Sequence, residues 1–193
     1  MSDAWLIVGL GNPGPKYAPT RHNVGYLVVD ELVDRVGGSL RSHKSGRAEV
    51  AEVRLGGIPG VRAVLMRARA YMNESGGPVS SIAKFYEIPA ERVIAIHDEL
   101  DIDFGRLRVK YAGGDNGHNG LRSMRQSLGT GDFFRVRFGI GRPPGRQPAA
   151  DFVLRPFAGE ERKTLPLEVD RAADAAESLI LRGLAATQSE FNG

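Results

Sequence analysis

Cysteine is absent from the 193 residues. Disulfides, thiol nucleophiles and thiolate metal sites are therefore excluded. No apolar run approaches the roughly 18 residues of a membrane span, which predicts a protein with no membrane partner. The opening Met1-Ser2-Asp3-Ala4 lacks the basic start and long apolar stretch of a signal peptide. Together with the missing cysteines this predicts a cytoplasmic location. Internal repeats and low-complexity stretches are also missing, and 41% hydrophobic with 25% charged residues is ordinary for a globular chain. The length suits one domain, residues 1–193.

The net charge is only +3, but it is unevenly spread. Residues 106–146 hold nine basic side chains against two acids, Asp115 and Asp132. That is +7 locally and −4 over the rest of the chain. A basic field of this kind suits a polyanion such as nucleic acid, although solvated surface charge is the commoner meaning of a cluster.

Residues 5–25, WLIVGLGNPGPKYAPTRHNVG, organise the reading. The apolar, β-branched start predicts a buried strand. Gly9-Leu10-Gly11-Asn12-Pro13-Gly14-Pro15 then breaks regular structure and holds polar residues at the strand's end, where ligands bind in open α/β sheets. Gly9 to Gly14 matches the G-x-G-x-x-G dinucleotide fingerprint. That fingerprint needs its last glycine inside a helix, and Pro13 and Pro15 oppose one. In the polar run that follows, His22 is the one side chain that titrates near neutral pH.

Val24–Val36 reads as a helix, 48–55 and 61–67 as a strand pair across Gly56-Gly57-Ile58-Pro59-Gly60, and 79–86 as a second helix burying Val79, Ile82, Ala83, Phe85 and Tyr86. Asn73 or Ser75 is placed to cap that helix near Pro78. Arg92–Ile96 reads as a strand buried on both faces that delivers His97-Asp98-Glu99-Leu100-Asp101 at its end. Asp98 is the candidate to orient His22, since a general-base imidazole needs an acceptor that fixes its tautomer. Capping a turn is its structural alternative, and His97 reads equally as a satisfied strand-end histidine. Arg106, Arg108 and Lys110 alternate with Leu107 and Val109, and Arg135-Val136-Arg137-Phe138 repeats the pattern, which predicts a flat basic surface for phosphate. Between these strands His118 and Asn119 fall at the start of a helix over 121–128, after a glycine-rich loop. A last helix over about 166–182 is expected to bury Leu167, Val169, Ala173, Ala176, Leu179 and Ile180, with a loosely ordered tail beyond.

Five blocks in order, GLGNPGPKYAPTRHNVG, YMNESG, HDELD, GHNGLRS and RVRFGIGRP, resemble the bacterial peptidyl-tRNA hydrolases, and the similarity weakens past about Leu154. The resemblance implies a monomeric, single-domain α/β fold with a twisted mixed β-sheet sandwiched between helices, and no metal or cofactor. It implies hydrolysis of the ester between a nascent peptide and the 3′ ribose of tRNA, with the acceptor stem and 3′ CCA end as partners. His22 falls on the family's catalytic histidine and Asp98 on its partner acid. Asn12, Asn73 and Asn119 fall on the asparagines of the peptide and ester site, Tyr17 and Met72 on flanking positions, and His118 on the second histidine. Arg108, Lys110 and Arg137 match basic positions associated with tRNA phosphate. Departures are Arg67-Ala68-Arg69 before Tyr71, a loop of fewer glycines at 112–116, and arginine for lysine at Arg108.

The expected mechanism is attack by water, because no serine sits in a nucleophile elbow. His22 takes the water's proton, Asn73 first and Asn12 second stabilise the oxyanion, and Asn119 reads the peptide main chain. The alternatives are a non-catalytic tRNA- or RNA-binding module, which needs the basic face but not His22 with Asp98, and a nucleotide-dependent oxidoreductase, which needs the missing helix. A zinc hydrolase is opposed by the scatter of His22, His97 and His118 along the chain.

Overall fold

The opening apolar run is a strand, β1 (Trp5–Gly9), in the computed structural model, which describes residues 3–193. It lies in the middle of one seven-stranded sheet of order β2-β3-β4-β1-β5-β7-β6. β4 (Val61–Ala68), β5 (Val93–Glu99) and β7 (Phe134–Gly139) continue the parallel core around it. β2 (Arg41–Ser42), β3 (Ala48–Leu55) and β6 (Leu107–Tyr111) are antiparallel to their neighbours at the two margins.

Strand alternation divides the core. Ile7, Ile94 and Ile96 pack on the face covered by α1 (Val24–Arg35) and α5 (Gly159–Arg182). Leu6, Val8, Val93 and Ala95 pack on the opposite face, under α2 (Gly76–Phe85) and α3 (Asn119–Leu128). Each buried Leu, Ile or Val among these contributes about 1.5–3 kcal/mol, enough to fix the register of the central strands. The observed architecture is thus the expected α/β sheet between helices. Two short helices, α4 (Ala149–Val153) and α6 (Leu184–Phe191), complete it.

Several local expectations are corrected. Neither Asn73 nor Ser75 caps α2 with its side chain. The Ser75 hydroxyl donates to the Met72 carbonyl, and the Gly76 N–H finds the Ser123 hydroxyl of α3 instead, at 2.8 Å. Phe85 and Leu167 are 48% and 60% exposed, so neither is core. The last long helix begins at Gly159, where Glu161 accepts the Ala158 N–H at 2.8 Å, and it carries Pro166 in its interior rather than starting there. The tail is the helix α6, which packs against α5 and β6.

Candidate active site

The site begins with two missing methyl groups. A Cβ on Gly9 would lie 2.3 Å from the Gly25 carbonyl oxygen, and one on Gly25 would lie 2.4 Å from that of Ile96. Only glycines let the start of α1 lie directly on β1 and β5. The Leu10 N–H then reaches the Ile96 carbonyl at 3.0 Å, beyond the end of β1. The chain runs through turns after Gly14 with no helix until the short 3-10 turn Arg21–Asn23, so the dinucleotide reading lacks the helix it requires.

Asn23, fully buried, clamps the loop: its Oδ1 accepts the Asn12 N–H at 2.9 Å and its Nδ2 donates to the Asn12 carbonyl at 2.8 Å. The Asn12 Oδ1 accepts the Met72 N–H at 2.7 Å. The Asn12 side chain is therefore oriented, with Nδ2 unpartnered among the described residues and left to the cavity that Asn12 lines. Three chain segments are joined in this way before any ligand arrives.

Asp98 is the hub. It is 3% exposed, at the end of β5. The His22 Nδ1–H donates to Oδ2 at 2.8 Å, and the His118 Nε2–H donates to Oδ1 at 2.8 Å. The tautomer of His118 follows from its other nitrogen, because Nδ1 accepts the N–H groups of Gly120 and Leu121 at 3.1 and 3.3 Å and so caps α3. His97, fully buried, donates from Nδ1 to the Asp98 carbonyl at 2.8 Å and lies edge-on to His118.

Burial alone would raise the Asp98 pKa, but the charge and hydrogen bonds of His22 and His118 hold it well below the usual carboxylate range. Burial would lower that of His22, but the charge and hydrogen bond of Asp98 prevail, and it lies above its ordinary 6.5. Burial, with His118 beside it, drives the His97 imidazole far down, so it stays neutral. In the neutral His22 ring Nδ1 holds the proton, so Nε2 offers a lone pair at the cavity wall.

The cavity measures about 420 Å³. Asn12, His22, Met72, Asn73, Asp98, His118 and Asn119 all line it. Tyr17 does not; its ring packs edge-on against Tyr71, with centroids 6.2 Å apart. Asn73 lies in a 3-10 turn, Met72–Glu74, and Asn119 opens α3; both are exposed. Sequence reasoning missed the loop residue Asn116, whose Nδ2 donates to Glu99 and Asp101 at 2.9 Å each. It also missed the apolar wall of α4, with Ala149, Ala150 and Val153. That wall is strapped to the turn bearing His22, since the Arg21 guanidinium lies 3.9 Å over the Phe152 ring and donates to the Phe152 carbonyl and to Glu161. The apolar Ala149-Ala150 and Phe152-Val153-Leu154 stretch was the available signal.

The basic strands are less uniform than their alternation implied. Arg108 stands opposite Arg137 and Lys110 opposite Arg135. Arg135 is fully buried and donates to the carbonyls of Gly113, Gly114 and Gly131, so it braces loops instead of facing outward. Burial and the charges of Arg125 and Arg137 lower its pKa to about 10. Arg137 pairs with Glu99 at 2.7 Å, and Arg108 and Lys110 are half-buried. Burial, then Arg137 and Arg135, depresses the Lys110 ammonium. Arg108, Lys110 and Arg137 lie outside the cavity lining, on the strands beside it.

His22, Asp98 and His118 bring three potential ligand atoms within 4.8 Å of one another, so the scatter of the histidines in sequence does not argue against a metal. The hydrogen bonds do: with two N–H groups on Nδ1, the His118 Nε2 carries the proton and has no lone pair to give.

The sequence profile of the family described as "Peptidyl-tRNA hydrolase" matches residues 6–193. The chain is 55% identical to the peptidyl-tRNA hydrolase of Kineococcus radiotolerans, over 100% of this chain and 98% of that one. It is 55% identical to that of Streptomyces coelicolor, over 97% and 94%. The crystal structure of peptidyl-tRNA hydrolase from Acinetobacter baumannii superposes with a TM-score of 0.89 at 35% identity, covering 100% of this chain and 96% of that one.

Proposed function

The chain belongs to the peptidyl-tRNA hydrolase family and is a hydrolase of the peptidyl-tRNA ester bond; from that premise we propose that His22 is its general base, oriented by Asp98. The observation that carries this reading is the 2.8 Å bond from His22 Nδ1 to a buried carboxylate, with Nε2 free at the cavity wall. Nε2 takes a proton from water as the oxygen attacks the ester carbonyl. The imidazolium that forms sits beside the Asp98 charge. It returns the proton to the 3′ ribose oxygen as the ester bond breaks, leaving free peptide and tRNA. Help of this kind is worth roughly 10²–10⁴-fold.

The carbonyl oxygen gains charge during attack, and amide donors stabilise it. Asn12 has its oxygen committed to Met72, so its NH₂ group is available, and Asn73 lies across the same cavity. Asn119 holds the peptide main chain, with the Met72 side chain as an apolar floor and Tyr17 flanking the entrance. His118 steadies the far oxygen of Asp98. Arg108, Lys110 and Arg137 take the phosphates of the acceptor stem, bringing the 3′ CCA end to His22. The enzyme acts as a monomer in the cytoplasm.

The deciding experiment measures peptide release from an N-acylated aminoacyl-tRNA by wild type and His22→Ala, with tRNA binding in parallel. Collapse of hydrolysis with binding intact is the expected result. Equal cleavage by both enzymes overturns the role of His22.

A further inference from the structure

β6 is an outer strand of the sheet. On its inner side the Arg106 carbonyl accepts the Gly139 N–H and the Ala112 N–H donates to the Phe133 carbonyl. Even-numbered residues therefore bond to β7, and Val109 turns its N–H and C=O outward. An open rung of this kind is where a foreign strand adds. Here the rung is filled by a side chain. The Asn192 Oδ1 accepts the Val109 N–H at 2.7 Å, and the Asn192 Nδ2 donates to the Val109 carbonyl at 3.1 Å. The same carbonyl accepts the Gln188 Nε2 at 3.1 Å. A primary amide carries one donor and one acceptor side by side, so Asn192 completes the rung as a neighbouring peptide group would.

The same residue reaches the basic face. The Arg108 Nη1 donates to the Asn192 main-chain carbonyl at 2.6 Å. This holds a long, flexible side chain at the strand's edge, with its other N–H groups unpartnered among the described residues. We propose that Asn192 is a positioning residue of the tRNA-binding face: by closing the β6 edge it places its carbonyl where Arg108 is held ready for a phosphate. This rests on the reading of Arg108 as a phosphate contact. Pre-orientation removes the entropy that a free arginine loses on binding.

The test is a double-mutant cycle of Arg108→Ala and Asn192→Ala. It reads the Kd for deacylated tRNA against salt, kcat and KM on an N-acylated aminoacyl-tRNA, and melting temperature. Each single variant is expected to weaken binding and raise KM roughly three- to tenfold with kcat unchanged, and the double variant to be no worse than Arg108→Ala. The slope of log affinity against log salt should fall by about one phosphate contact in each. If Arg108→Ala weakens binding and Asn192→Ala does not, the proposal fails while the phosphate reading of Arg108 survives. If neither weakens it, both fall. Additive losses, or a loss confined to Asn192→Ala, also overturn the proposal. Should Asn192→Ala fold poorly, Asn192→Asp keeps the acceptor for Val109 and loses one donor; it is expected to give a smaller loss of the same kind, and wild-type binding by a folded Asn192→Asp with a lowered melting temperature counts against the proposal.

Discussion

The Asp98 hub and the β6–β7 face are built from similar residue types on opposite terms. At the hub both oxygens of one buried carboxylate are engaged, each by a different histidine. On the face four of the five alternating cations stay partly in water, and among the described residues only Arg137 of the five has a close carboxylate. Charges in low dielectric must be paired and are held in place by that need, while charges in water are free to meet a moving partner. The hub suits a reaction that tolerates little displacement, and the face suits a large polyanion.

His22→Ala is expected to have the largest effect, a roughly 10²–10⁴-fold fall in single-turnover peptide release. It should leave tRNA affinity unchanged, so a variant that also loses binding breaks the division between the two regions.

Asp98→Asn comes next, with a smaller fall in single-turnover release and an altered pH profile. The base must be neutral, and its pKa lies above 6.5, so wild-type kcat/KM should rise with pH through a midpoint above that value. Without the carboxylate, burial is left to act on His22 and the midpoint should move below 6.5. Stability follows the same groups. The ionised Asp98 contributes above its ordinary 3.8, and that contribution is lost as pH falls from there through its lower folded value. The contribution of His22 is complete below 6.5 and lost as pH rises through its folded pKa. Melting temperatures of wild type and Asp98→Asn should therefore differ most between pH 3.8 and 6.5 and draw together as pH falls below 3.8.

Arg137→Ala tests the residue that joins the two regions. It leaves Glu99, 4% exposed, without its cation. A stability loss of roughly 1.5–3 kcal/mol by denaturant titration is expected, together with weaker tRNA binding. A change in binding alone assigns Arg137 wholly to the face.

The smallest effect is expected of Lys110→Ala. Affinity should fall a few-fold, the salt slope should drop by about 1, and the melting temperature should hold. An unchanged salt slope removes Lys110 from the phosphate contacts.

What the sequence made legible follows the same division. β1 and β5 are short apolar runs buried on both faces, a pattern that needs no tertiary knowledge. Asp98 stood out because it lies at the end of β5, and His22 because it is the one side chain titrating near neutral pH in the polar run between β1 and α1. The second bond of Asp98 was not: it needs His118 to act as a helix cap through one nitrogen and as a donor through the other, a fact of two segments meeting. Arg135 and Arg137 have the same alternation in β7. One is buried because the loops at Gly113, Gly114 and Gly131 close over it, and nothing within the strand records those loops. The prolines informed once and misled once. Those around Gly14 marked a true break, whereas Pro166 suggested a helix start seven residues after the real one. α6 lacks a strong amphipathic stripe; Gln188 ties it to the Val109 carbonyl of β6 and the buried Thr187 to Ser178 of α5.

The two bare α-carbons at Gly9 and Gly25 carry a consequence for how the protein can vary. The lobe that presents Asn12 and the strand that presents Asp98 meet with less than one methyl group of clearance. A substitution at Gly25 inserts a wedge between the loop that bears Asn12 and the strand that bears Asp98, and no neighbouring side chain can yield, because the atoms in the way are main chain. A library randomised at position 25 and selected for activity should return glycine alone, while the exposed Arg106 and the half-buried Lys110 accept many residues at a graded cost.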